Sequence, residues 1–232
     1  MTKTLTTISL IICSLIGFAQ ADTVSRILTN KEVDSVFSEK TKKELDIQYP
    51  IFRVYEYNDK SGRHFLVLTE NDYKDGDQPK NDTIQGFNVT EANGELKTEW
   101  TLFDFTLKQG NDNSEEHLIW FWTKYVSLND LDNDGLVDPI VIYGTSGING
   151  TDDGRIKILT YYKGAKRAIR HQNGVLDFQR NTQVDSMFYE LPLTVQEHVK
   201  TLIKKMMDND HAIFPHGWEE AMKNKELKFD EN

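Results

Sequence analysis

The stretch Asp130-Leu131-Asp132-Asn133-Asp134-Gly135-Leu136-Val137-Asp138 places carboxylates at its first, third, fifth and ninth positions. Unpaired carboxylates this close repel one another. A hard dication removes that repulsion, and oxygen ligands at alternate positions are what calcium takes. Gly135 stands sixth, where the chain must turn sharply, and Leu136 stands seventh, where a backbone carbonyl serves as a ligand. Asp130, Asp132, Asp134, Leu136 and Asp138 are therefore the expected ligands of a structural Ca2+. The loop is not an EF-hand. Position twelve, which there must be a bidentate acid, is Val141, and Pro139-Ile140-Val141-Ile142-Tyr143 reads as a strand where a helix would have to begin.

Directly after that strand comes the most unusual loop of the chain, Gly144 to Arg155, rich in glycine, hydroxyls and acids. Such a loop suits ligand binding, with Ser146, Asn149, Asp152, Asp153 and Arg155 as its polar groups. It is not a phosphate loop, because no Lys-Ser/Thr pair or helix follows, and Ser146 lacks the nucleophile-elbow pattern. Arg167, Arg170, His171 and Asn173 form a basic island in an acidic chain. Arg170 and His171 are candidates for gripping an anionic or sugar ligand; the plainer reading is strand residues paired with surface acids. His211 and His216 flank Ala-Ile-Phe-Pro at a spacing that matches no zinc pattern. A hydrolase would draw its two carboxyls from Asp152, Asp153 and the Glu115-Glu116 pair.

The elements that must position these groups read as β. Ile51–Tyr57, His64–Thr69, Ile84–Thr90, Leu96–Leu107, Leu118–Leu128, Pro139–Tyr143 and Arg155–Tyr162 are rich in aromatic and β-branched residues. Most are separated by turn-forming clusters, Asn58–Gly62, Asn71–Asp82, Asn93-Gly94 and Gly110–Ser114 among them. Leu118, Trp120, Trp122, Val126 and Leu128 would share one strand face. Thr29-x-x-Glu32 is a capping-box pattern that opens a helix to about Lys43, and Thr194-x-x-Glu197 is a second one. Val195, Val199, Leu202, Ile203 and Met206 then mark an apolar helical stripe. A last helix starts near His216, and Glu226 to Asn232 reads as a frayed polar tail. The expected fold is mainly β (α+β): an antiparallel, meander-like or partial-propeller sheet with a short N-terminal helix and C-terminal helices. The expected divisions are a leader over 1–21, a helical segment over 22–50, the β-rich domain with the calcium loop over 51–190, and helices packing on the sheet over 191–232.

The leader is an address and not a fold element. Lys3, the apolar run Leu5 to Phe18 and Ala19-Gln20-Ala21 follow the export-signal pattern, with cleavage before Asp22. The only cysteine, Cys13, lies inside it, so the mature chain has no disulfide and must rely on its core or on a metal. The net charge is −10, and loss of Lys3 makes it one unit more negative. Such a charge argues against nucleic acid and against anionic membrane surfaces. The mature chain has no apolar run long enough for a transmembrane segment.

An acid at the ninth position followed at once by an apolar strand resembles the FG-GAP and VCBS-type calcium loops of integrin-like β proteins. The resemblance covers Leu128 to Ile142 and implies a calcium ion that pins a turn between two strands. Those families repeat the loop, whereas here it is complete once. Asn149-x-Thr151-x-Asp153-Gly154 and Asp59-x-Ser61-Gly62 are weaker echoes without its acids. The whole chain also resembles an uncharacterised family of exported bacterial proteins linked to surface-polysaccharide biosynthesis. That likeness runs through Trp120-Phe-Trp122, Tyr143-Gly144-Thr145-Ser146-Gly147, Asp153-Gly154-Arg155-Ile156-Lys157, Arg170-His171-Gln172-Asn173-Gly174 and His211-Ala-Ile-Phe-Pro215. The expected function is that of an exported, calcium-stabilised binding or accessory protein of the periplasm or cell surface. Its partner would be a protein or glycan of the envelope, and an envelope polysaccharide hydrolase is the alternative.

Overall fold

A computed structural model describes residues 25–107 and 115–231. The expected leader with Cys13, the expected cleavage site before Asp22 and the Gly110–Ser114 turn lie outside the described residues. The chain is mainly β, and its strands divide between two antiparallel meanders. The first sheet runs in sequence order through β1 (Arg26–Ile27), β2 (Ile51–Asp59), β3 (Gly62–Asp75), β4 (Gln78–Ala92) and β5 (Glu95–Phe105). The second contains β6 (Leu118–Phe121), β7 (Ser127–Asn129), β8 (Asp138–Ser146), β9 (Arg155–Tyr162), β10 (Ala165–Gln172), β11 (Asn181–Val184) and β12 (Lys228–Asp230). Its order is β12-β11-β10-β9-β8-β6, with β7 also paired to β8.

Alternation along the strands assigns each face. In the first sheet Val54, Phe65, Val67, Phe87 and Val89 pack with Leu28, Phe37 and Leu45 of the N-terminal helical segment. On the opposite face, Tyr55, Tyr57, Leu66, Leu68, Ile84 and Leu102 meet Ile119, Phe121, Val141, Tyr143, Leu159 and Tyr161 of the second sheet. The far face of the second sheet presents Ile140, Ile142, Ile156, Ile158 and Ile169 to α3 (Leu193–Met207) and α4 (Trp218–Lys223). The layers are thus helix, sheet, sheet, helix, and both sheets are covered on both sides. That double covering is why Pro139 to Tyr143 is continuously apolar, with every residue of β8 buried.

The helices at the start are two, not one. The Thr29–Glu32 capping box opens α1 (Asn30–Val36), and Ser38 then caps α2 (Glu39–Glu44). Between them Phe37 turns fully into the core, which an unbroken helix would not allow. At the other end, Thr194 is not the cap it resembles. Pro192 holds the N-cap position and α3 begins at Leu193, because the proline fixes an extended entry two residues earlier. The expected stripe of Val195, Val199, Leu202, Ile203 and Met206 is buried. The supposed polar tail contains a strand: β12 pairs with β11, and Phe229 is buried in the helix-side core.

Two further expectations change. Asn71–Asp82 is not a wide connection, since β3 and β4 continue through it to a tight turn at Gly76-Asp77. A bulge between Glu70 and Asp72 and an Asn71 Nδ2–Asp82 Oδ1 bond of 2.9 Å accommodate its polar residues in the ladder. Leu118–Leu128 is not a single strand either. A 3₁₀ turn over Thr123–Tyr125 interrupts it and resets the side-chain phase. Trp120 and Trp122, before the turn, pack on the helix-side core, whereas Val126 and Leu128, after it, face the core between the sheets.

Candidate functional site

The acidic loop joins β7 to β8 and folds around its own backbone. Asp130 accepts from Asp134 N at 3.1 Å and Gly135 N at 2.8 Å, and Asp138 Oδ2 accepts from Leu131 N at 3.0 Å. Gly135 supports this with φ of +84°, a region that a side chain would strain. One ligand oxygen from each of Asp130, Asp132 and Asp138 lies within 4.8 Å of the other two. Asp138 is 2% exposed. Burial, together with the charges of Asp132, Asp134 and Asp130, pushes its carboxyl up to about 7.

Asp134 stands outside this group. Its Oδ1 accepts from Leu136 N at 2.9 Å and its Oδ2 pairs with Lys163 Nζ at 3.3 Å. Burial alone would raise its pKa, but the Leu136 N–H and the two nearby lysines, Lys163 and Lys60, outweigh it and hold it below the usual range. Leu136 thus lies beside the acids, with its N–H bound to Asp134.

Two turns from elsewhere clasp the loop. From the first sheet, Lys60 N donates to Gly135 O at 2.9 Å, Lys60 Nζ donates to Asp134 O, and Asp59 Oδ2 accepts from Val137 N at 3.1 Å. From the β9–β10 turn, Tyr162 OH donates to Asp132 Oδ2 at 2.9 Å beside the Lys163 pair. The weak echo at Asp59 is therefore a partner of the acidic loop across the sheets. Its Asp59 Oδ1 also accepts from Ser61 Oγ at 2.5 Å and lies 3.2 Å from His64 Nε2. Ser61, His64 and Asp59 have the composition of a catalytic triad without its geometry, because serine and aspartate both meet the same imidazole nitrogen.

The other candidate residues fall into separate places. Asp153 accepts from Gly147 N at 3.1 Å, Asn149 N at 2.9 Å and Asn149 Nδ2 at 3.0 Å, so the glycine-rich loop closes on its own carboxylate. Ser146 is buried at the end of β8, and Asp152 and Asn149 are exposed. Arg155 points elsewhere, into an ion cluster between the sheets: Nε lies 2.5 Å from Glu116 Oε1, and Nη1 3.2 Å from Asp104 Oδ2. Lys157 Nζ completes it at 2.7 Å from Asp104. Arg170 pairs with Asp185 at 2.6 Å, the plain surface reading. His171 is buried against Thr182 and Asn173, and burial lowers its pKa to about 4. Arg155, Arg170 and His171 share a shallow cavity of about 180 Å³ on β9–β11, whereas Ser146, Asn149, Asp152 and Asp153 do not line it. Of the acids named for hydrolysis, Glu116 and Asp153 are held by these internal bonds, and Glu115 and Asp152 are exposed.

A larger cavity, about 350 Å³, was not anticipated from the sequence. Phe52, Trp120, Phe121, Trp122, Thr123, Lys124, Tyr125, Thr151 and His211 line it. The aromatic triplet at 120–122 and His211 were the residues of it singled out in the sequence, and aromatics in strands are usually core. Comparison with protein-family models, curated proteins and solved structures finds no match to this chain.

Proposed function

We propose that the Asp130–Asp138 loop binds a structural calcium ion in an exported binding or accessory module of the bacterial envelope. The observation that carries this reading is the convergence of Asp130, Asp132 and Asp138, whose oxygens lie within 4.8 Å of one another. Three carboxylates in such proximity supply much of an oxygen shell, and backbone carbonyls or waters can fill the remainder. The likeness of the loop to FG-GAP and VCBS-type loops supports calcium over other dications. So does the break into β8 at Asp138, which matches a turn pinned between two strands. The leader pattern at residues 1–21 supports export, and the absence of disulfide-forming cysteines beyond it gives a bound ion stabilising work to do. Among the described residues, no helix is long and apolar enough to cross a membrane. The module would engage a protein or glycan of the envelope, the setting that its resemblance to proteins linked to surface polysaccharide suggests.

Thermal unfolding after EDTA treatment, then with calcium restored, tests the ion. A ligand that binds only the folded state stabilises by roughly 2.7 kcal/mol at a hundred times its Kd. The melting temperature is expected to rise with calcium in the native protein and to stay flat in Asp132→Ala. Magnesium should do less, because it demands octahedral geometry and keeps its waters. Identical melting curves with EDTA and with millimolar calcium would reduce the loop to a clasped acidic turn.

A further inference from the structure

The aromatic cavity lies where four parts of the fold meet. Phe52 comes from β2 of the first sheet, Trp120 to Tyr125 from β6 and the 3₁₀ turn, Thr151 from the loop between β8 and β9, and His211 from the segment between α3 and α4. Arg53 Nη1 bonds Thr123 Oγ1 at 3.1 Å, and Tyr125 OH bonds His211 Nδ1 at 2.7 Å, so its walls are tied together. At about 350 Å³ it is within the size range of small-molecule sites.

Its lining divides by chemistry. Trp120, Trp122 and Phe52 supply flat apolar surface, and Phe52 is 44% exposed, so its ring is open to a ligand. Thr151, Lys124 and His211 supply hydroxyl, ammonium and imidazole groups, and the Tyr125 bond to Nδ1 leaves Nε2 as the other ring nitrogen of His211. Among the described residues no carboxylate lines the cavity, in a chain whose net charge is −10. Aromatic faces attract cations, but here the Lys124 ammonium lies among them with no carboxylate to offset its repulsion of a cationic ligand. A hydrocarbon chain would strip water from the threonine, lysine and histidine without replacing their hydrogen bonds. A pyranose ring satisfies both halves: its C–H face lies on an aromatic ring while its equatorial oxygens reach polar neighbours.

The geometry points to this cavity as a glycan-binding site that takes one sugar ring against Trp120 and Phe52, with Lys124 and His211 at its oxygens. The inference deepens the binding role proposed above, and rests on it for the kind of partner, while using residues apart from the acidic loop.

Native electrophoresis of the full protein through gels cast with single polysaccharides tests it. The probes are neutral xylan, β-glucan and α-glucan, and acidic alginate and polygalacturonate, each in calcium. At least one is expected to retard the native protein, with Trp120→Ala losing at least tenfold in apparent affinity and His211→Ala losing severalfold. Trp120→Phe should retain most of the retardation, and Phe103→Ala, an exposed aromatic change on the edge strand β5, should be neutral. Retardation by the acidic polymers that disappears in Lys124→Ala would assign a uronate; retardation by a neutral polymer would assign a neutral ring. Unchanged mobility in every gel, or retardation that survives Trp120→Ala, overturns the proposal. Each variant is melted with and without calcium in parallel. A lost calcium response thus reports failure of the ion reading, and lost retardation with that response intact reports failure of this one.

Discussion

Glu70 shows how a single buried group sets the pH response. It is 7% exposed, and Phe121 N donates to its Oε1 at 3.0 Å across the sheets. Burial outweighs that bond and the Arg53 charge, and with help from Asp72 it lifts the pKa to about 7. A raised carboxyl pKa means the folded state holds the proton more tightly than the unfolded chain. Its contribution is therefore favourable below the ordinary carboxylate range and declines as pH rises towards 7. Glu70→Gln keeps an acceptor for Phe121 and removes the charge. Urea denaturation is expected to find the variant more stable at pH 8 by on the order of 1–3 kcal/mol and nearly unchanged at pH 4.5. Equal effects at both pH values would show that Glu70 does not titrate in this window. At the same scale, Gly154 is held by space and not by φ: a Cβ there would sit 1.9 Å from Thr145 O. Gly154→Ala should destabilise by more than about 3 kcal/mol, since backbone must move to admit it. That requirement is invisible in sequence, where Gly154 reads as one more turn glycine.

Elements were legible where one physical rule acted alone. The apolar stripe of α3 and the capping box of α1 are local patterns, and each element forms where its pattern stands. Reading failed where a distant partner decided the outcome. Residues 228–230 are polar on either side of Phe229 and carry no strand signal, yet the open edge of β11 recruits them. The aromatic segment 118–128 alternates well enough for one strand, but a 3₁₀ turn breaks the ladder at Thr123–Tyr125, and no turn-forming Gly, Pro, Asn or Asp marks it in the sequence. Of the acidic loop, the closeness of Asp130, Asp132 and Asp138 was readable from their spacing and the fate of Asp134 was not, because Lys60 and Lys163 arrive from other hairpins. The β12 pairing makes its own prediction. Phe229→Ala should cost about 3–5 kcal/mol by cavity formation. Removal of residues 227–232 should also expose the β11 edge and promote self-association, measurable by light scattering. A truncated chain with the native unfolding midpoint would mean that the tail contributes nothing to the helix-side core.

The two sheets are joined by more than apolar packing, and the joints differ in kind. At one place Arg155 sits between Glu116 and Asp104, with Thr145 Oγ1 donating to Glu116 Oε1 at 2.9 Å. Removing one partner of such a buried set leaves the remaining charges uncompensated, so Arg155→Ala should cost about 3–5 kcal/mol, and lysine should rescue little because it lacks the guanidinium fork. At the other place the acidic loop meets the β2–β3 turn through the Lys60–Gly135 and Asp59–Val137 bonds. An ion drawn to Asp130, Asp132 and Asp138 would fix the backbone that those bonds grip. Stabilising the loop of one sheet must then stabilise the turn of the other, and the linkage is reciprocal. Hydrogen exchange reads this directly. Calcium is expected to slow exchange at residues 58–62 as well as at 130–138 in the native protein. In Asp59→Ala, protection at 130–138 should persist while the effect at 58–62 weakens. Protection confined to the loop in the native protein would separate ion binding from the sheet contact, leaving the Arg155 cluster, the Glu70–Phe121 bond and the shared apolar core among the contacts that hold the sheets together.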